Sequence, residues 1–155
     1  MWKYSTRKLI LAGAVIISFS ASGQSKFIQP EGLTKPPGYT HVVVSGGTVY
    51  ISGQVSANEK GEVIGKGDMR AQTIQVFENI ARCLKSVDAG FGDIVKLNTF
   101  VVNLKPEDLA IIREVRKNYL SAEHPPASTL VGVTALANPD FLIEIEAVVS
   151  KKQKQ

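Results

Sequence analysis

The chain is poor in the residues from which many small sites are built. Its 155 residues include one cysteine, Cys83, so it can close no internal disulfide and build no thiolate zinc site. Its two histidines, His41 and His124, are too few and too far apart in sequence for a histidine metal site. No G-x-S-x-G nucleophile elbow occurs, and Ser45-Gly46-Gly47 lacks the lysine and the spacing of a phosphate-binding loop. Neither a metal nor a cofactor is expected. Also missing is an apolar run of about 20 residues, the length a helix needs to cross a bilayer.

A basic surface is missing too, despite a formal net charge of +4. Six of the 18 basic residues sit at the two ends: Lys3, Arg7 and Lys8 at the start, Lys151, Lys152 and Lys154 in a short tail (151–155). Neither end holds an acid, so 12 basic residues face 14 acidic ones in between. Nucleic-acid binding leaves a clustered basic footprint, and this body predicts none. No nucleic-acid partner is expected.

The start of the chain reads as an export signal over 1–23. The three cations are followed by an apolar run of 11 residues, Leu9 to Phe19, and then by Ser20, Ala21, Ser22 and Gly23. Ala21-x-Gly23 fits the small-x-small cleavage pattern, which releases a chain beginning at Gln24. This predicts a periplasmic or secreted protein that keeps no membrane anchor after cleavage.

Residues 24–40, with Pro30, Gly32, Pro36, Pro37 and Gly38, read as an extended lead-in to a single domain over 41–150. Two β-branched runs, Thr40–Ser45 and Thr48–Ser52, flank Gly46-Gly47 and predict a tight hairpin. Asp68 suits an N-cap for a helix to about Val87, with Ile74, Phe77, Ile80, Ala81, Leu84 and Val87 on one stripe. Cys83 on its flank reads as a buried small hydrophobe. Ile94–Leu104 alternates as a strand. Pro106, Glu107 and Asp108 open a second helix to about Ser121, its apolar face being Leu109, Ile112, Val115 and Tyr119. Ser128–Val133 and Phe141–Val149 close the chain as strands. The fold class is α+β: five or six strands in a mixed sheet with both helices on one face. The other face carries Val and Ile that water disfavours, so a second copy of the chain is expected to cover it.

Chemistry concentrates in Ile143-Glu144-Ile145-Glu146-Ala147, which puts two carboxylates on one face of a strand. Two readings stand open: the solvent face of an edge strand, or a carboxylate at a cleft rim whose pKa is raised by apolar surroundings and which serves as a general base or acid.

Taken together, Tyr39, Val49-Tyr50-Ile51-Ser52-Gly53-Gln54, Gly92-Asp93-Ile94-Val95-Lys96, Pro126-Ala127-Ser128-Thr129 and the closing Ile143–Ala147 resemble the YjgF/RidA family of reactive-intermediate deaminases, over roughly residues 28–150. The resemblance implies a chorismate-mutase-like fold and a homotrimer whose sheets form an inner barrel, with clefts between subunits. It also implies hydrolysis of enamines and imines to 2-keto acids and ammonia. Carried over by position, Glu144 is the catalytic residue that positions water, Gly53 a backbone contact and Tyr39 the cleft tyrosine. Where the deaminases place a carboxylate-gripping arginine after Pro-Ala, this chain has Ser128, and Leu130 stands where a cysteine is frequent. Arg113 or Arg116 on the second helix could supply the missing cation. The expected function is therefore that of an exported imine or enamine deaminase, or of a non-catalytic trimer that binds a small polar metabolite.

Overall fold

The structure is a computed structural model that describes residues 24–150; the expected export signal and the basic tail lie outside the described residues. Six strands form one sheet: β1 (Lys26–Ile28), β2 (Val42–Ser45), β3 (Thr48–Val55), β4 (Ile94–Val102), β5 (Ala127–Val133) and β6 (Ile143–Ser150), in spatial order β1-β2-β3-β6-β4-β5. Two helices, α1 (Met69–Lys85) and α2 (Pro106–Arg116), connect β3 to β4 and β4 to β5. The pair β4–β5 is parallel, as a crossover through a helix requires, and all other pairs are antiparallel. This is the expected α+β mixed sheet with both helices on one face.

Local chemistry explains most of the elements. Gly46 and Gly47 both take positive φ, 57° and 84°, and join β2 to β3 through a two-residue turn with Ser45 opposite Thr48. Asp68 caps α1, its carboxylate accepting the Ala71 N–H at 3.0 Å. Glu107 and Asp108 sit in the first turn of α2, at the positive end of its dipole, and Arg113 and Arg116 in its last turn.

The core lies between the helices and the sheet, where Val76, Phe77, Ile80, Cys83 and Leu84 of α1 meet Val49, Ile51, Leu97, Val101, Ile143, Ile145 and Val149. The stripe on α1 is rotated from the sequence reading. Ile74 is 41% exposed, and Gln72, Thr73 and Asn79 are buried in its stead. These polar side chains are buried because each finds backbone partners. Gln72 donates to the Gly65 and Asp140 carbonyls and accepts the Leu142 N–H; Asn79 donates to the carbonyls of Val55 and Ala57. The second helix stops at Arg116, short of Ser121, and Tyr119 beyond it stacks on Phe77 with ring centroids 4.7 Å apart. The lead-in is not wholly extended coil, since Lys26–Ile28 pairs with β2 as an edge strand.

The helix-free face is apolar and open. Phe27, Val43, Tyr50 and Val148 form one cross-strand row, with Phe27 71% and Tyr50 50% exposed. Edge strand β5 is mostly exposed, Val131 included.

Phe77 is fully buried against Phe91 and Tyr119. Phe77→Ala is expected to lower unfolding free energy by about 3–5 kcal/mol, read from urea denaturation; a loss below about 1 kcal/mol contradicts this packing.

Candidate active site

Strand β6 is central, flanked by β3 and β4, so the edge-strand reading of its two carboxylates is overturned. Its alternation buries Ile143, Ile145 and Ala147 against the helices and turns Glu144 and Glu146 to the helix-free face, each half-buried. Glu146 accepts a hydrogen bond from Asn98 Nδ2 at 3.2 Å. Among the described residues, Glu144 has no cation within ion-pair distance. Burial first, and then the negative charge of Glu146, push the Glu144 carboxyl above the ordinary glutamate range.

A β-bulge brings the backbone onto this carboxylate. Between the pairs Ile51↔Ala147 and Gln54↔Ile145, β3 spends one residue more than β6, so Ser52 and Gly53 together stand opposite Glu146. The extra residue turns Gln54 into the interior, where it is 2% exposed. It also lays Gly53 against Glu144. A methyl group on Gly53 would overlap Oε1 of Glu144 and lie 2.6 Å from Cδ and 2.9 Å from Cγ. A side chain here fits only if Glu144 swings away from β3.

Tyr39 completes the group. Its ring meets His41 edge-on, centroids 5.4 Å apart, and burial followed by the charge of Glu144 pushes its phenol up. Tyr39, His41, Gly53 and Gln54, with Thr34 and Asn79, line a cavity of about 20 Å³, room for one water. A half-buried carboxylate held neutral to a higher pH than usual, beside a phenol and a backbone edge, suits proton transfer to and from water.

The other two sequence-derived residues lie elsewhere in the same chain. Ser128 stands opposite Leu97 in β4, a core residue, and Leu130 packs on the core, so both turn to the helix side of β5. Glu144 is opposite Phe100, which is opposite Val131. Ser128 is thus two strands across and three residues along, roughly 10 Å in each direction, on the other face. Arg113 and Arg116, with Lys117, Leu120 and Pro125, line a cavity of about 400 Å³ on α2, again on the helix side. Among the described residues, no arginine joins Glu144. Sequence reading missed His41, Thr34 and Gln54 as neighbours of the site. Gln54 lay inside a motif already noted, but nothing in the alternation announced the bulge that turns it inward. No group of three or more His, Cys, Asp or Glu among the described residues is arranged to hold a metal.

Comparison with known proteins adds a second kind of observation. The model of the family described as Endoribonuclease L-PSP matches residues 33–151. A RutC family protein of Pyrococcus horikoshii is 35% identical over 123 residues, 79% of this chain and 94% of that protein. The 2-iminobutanoate/2-iminopropanoate deaminase of Dermatophagoides farinae is 33% identical over 111 residues, 72% of this chain and 84% of that one. Among solved structures, RidA from an Antarctic Psychrobacter superposes with a TM-score of 0.72 at 33% identity, covering 81% of this chain and 98% of that one.

Removing the like charge beside Glu144 tests the electrostatics. In Glu146→Gln, the Glu144 carboxyl is expected to titrate lower, yet still above 4.5, because burial is the larger cause. Carbon-detected NMR titration reads this directly, and an unchanged titration excludes the coupling. A carboxyl raised in the folded state stabilises the fold fully below its unfolded pKa, and that contribution is lost as pH rises through the folded pKa. Glu144→Gln should therefore raise the melting temperature more at pH 8 than at pH 4.

Proposed function

We propose that this chain, which belongs to the Endoribonuclease L-PSP (YjgF/RidA) family, is an exported homotrimeric hydrolase of imines, enamines or related small carbonyl compounds, with Glu144 as its catalytic residue. The observation that carries the proposal is the seat of Glu144: half-buried, raised in pKa, pressed against Gly53 and open on the helix-free face. The name of the Dermatophagoides relative supplies the substrate class.

The chemistry balances with water alone. Ionised Glu144 takes a proton from water as the oxygen bonds to the imine carbon and passes it to the nitrogen, then carries the hydroxyl proton to the departing amine in the same way. The resulting carbinolamine collapses, the C–N bond breaks, and ammonia and a carbonyl compound leave. A carboxylate whose pKa is closer to neutrality takes a proton from water more readily than an ordinary glutamate does. Tyr39, whose phenol feels the charge of Glu144, is assigned to hold the ligand's polar end.

Two copies complete the site in this account. Ser128 and Glu144 face opposite sides of the sheet in one chain, whereas edge strand β5 and the open row through Phe27 and Tyr50 are free to meet other copies. A trimer buries that row and brings Ser128 and Leu130 of one subunit to Tyr39, Gly53 and Glu144 of the next. Export follows from the expected signal over residues 1–23. The slightly acidic balance of the body disfavours a polyanion such as RNA, so the nuclease in the family's name is not the activity proposed.

A second reading is a trimer that binds a small polar metabolite without turnover. Ser128 favours it. A hydrogen bond to a charged group contributes about 1.5–3 kcal/mol, so a serine in place of a forked arginine contact weakens carboxylate binding by about ten- to a hundredfold.

The processed chain, 24–155, is expected to release ammonia from freshly generated 2-iminopropanoate above the buffer rate, and Glu144→Ala to abolish the excess. Buffer-level release by the wild type, with a thermal shift from small acids that grows in Ser128→Arg, establishes the binding reading. Sedimentation is expected to give a trimer; a stable, folded single subunit contradicts a site shared between copies.

A further inference from the structure

One titratable group beside this site, His41, takes no part in the proposed chemistry and is 4% exposed at the head of β2. Its ring is held from both sides. Nε2 lies 3.0 Å from the carbonyl of Thr34, an acceptor only, so Nε2 carries the proton. Nδ1 is then an acceptor, and Gln54 Nε2 donates to it at 3.1 Å. The same amide donates to the Ser52 carbonyl at 2.9 Å, which fixes its orientation. The main chain adds a further tie, since the His41 carbonyl accepts the Ser52 N–H at 3.0 Å. His41 thus grips both sides of the bulge at Ser52–Gly53, the segment that presses on Glu144. The His41 backbone N–H donates to Gln29 Oε1 at 3.2 Å, while Gln29 Nε2 donates to the Tyr39 carbonyl at 3.0 Å, tying the segment that carries Tyr39 to the main chain of the same residue.

We propose that His41 is the positioning residue of this site: through Gln54 its neutral imidazole holds the Ser52–Gly53 bulge against Glu144, and protonation of the ring releases that hold. The inference rests on the hydrolytic reading for its kinetic arm and on geometry alone for its spectroscopic one. Protonated Nδ1 would face the Gln54 amide donor. Either the amide turns over and gives up the Ser52 carbonyl, or the two groups part, and both loosen the bulge. The groups that line the cavity beside the ring from the lead-in, β3 and α1 are Thr34, Gln54 and Asn79, all uncharged. Tyr39 in edge contact, with Glu144 acting on its phenol, are the titratable neighbours. Burial pushes the His41 ring below the ordinary histidine value, so the site works with the ring neutral. The pH window follows from two directions: Glu144 raised from 4.5 and His41 lowered from 6.5. Both groups gain protons as pH falls, and the activity then falls more steeply than one proton allows.

Two substitutions test this. His41→Phe keeps a ring against Tyr39 but offers neither hydrogen bond; its kcat is expected to drop by about tenfold or more with KM little changed, as a small misplacement of the base does. His41→Gln can supply both a donor and an acceptor, so kcat should return to near wild type while the acid limb of the pH profile becomes a one-proton limb. Ring nitrogen NMR of the wild type should show Nε2 protonated and Nδ1 bare. Wild-type kcat in a folded His41→Phe, an acid limb unchanged in His41→Gln, or a protonated Nδ1 overturns the proposal. If the wild type shows no turnover, the hydrolytic reading fails alone, and the Glu144 carboxyl titration decides this one. It should move toward 4.5 in His41→Phe and stay in place in His41→Gln, and no movement in the folded Phe variant overturns the positioning role. Should His41→Phe not fold, Gln54→Met removes the same link and is read the same way.

Discussion

One residue too many in β3 sets the geometry of the whole site. Because Ser52 and Gly53 share the space that one residue would fill opposite β6, the strand reverses its facing, Gln54 enters the interior, and the Gly53 backbone comes to rest on the Glu144 side chain. A bulge costs regular pairing, and it persists only if neighbouring groups hold it. Here the holding groups are the backbone and ring of His41, and they in turn need Thr34 and Gln54 in place. Burial is the larger cause of the carboxyl's raised pKa, and the Gly53 backbone lying against its side chain is part of what buries it.

The sheet's second face ties that site to the proposed assembly. Burying an apolar side chain such as Phe27 or Tyr50 gains roughly 25 cal/mol for each Å² removed from water, and the row they form with Val43 and Val148 is continuous across four strands. Glu144 and Glu146 lie on that same face, so whatever covers the apolar row also shapes the surroundings of the carboxylates. The opposite facing of Ser128 and Glu144 has a simple physical meaning in this light: residues whose positions suggest one pocket in sequence lie on two sides of one sheet, and a pocket that uses both is built from two chains.

Much of the fold was legible in the sequence because it is written in local signals. Gly46-Gly47, Asp68, Pro106 and the alternation of Ile143–Val149 each report a nearby backbone requirement, and the hairpin, both helix starts and the last strand follow from them. Other features are set by tertiary context. The rotation of the α1 stripe depends on backbone carbonyls of distant loops that accept from Gln72 and Asn79. The central place of β6 depends on pairing across long separations, which a period-2 pattern does not encode, so Glu144 and Glu146 looked equally suited to an edge. Of the candidate site, the structure lays Gly53 against Glu144 and puts Tyr39 within reach of that carboxylate's charge, while the contacts of His41 depend on the bulge, which no local pattern announces.

The most direct test of this account is the structure and carboxyl titration of Gly53→Ala. The account predicts a folded chain in which the Glu144 side chain has swung away from β3 and its carboxyl titrates closer to 4.5 than in the wild type. A Glu144 that stays in place and keeps its raised titration would contradict it, since the contact with Gly53 would then not be what seats the carboxylate.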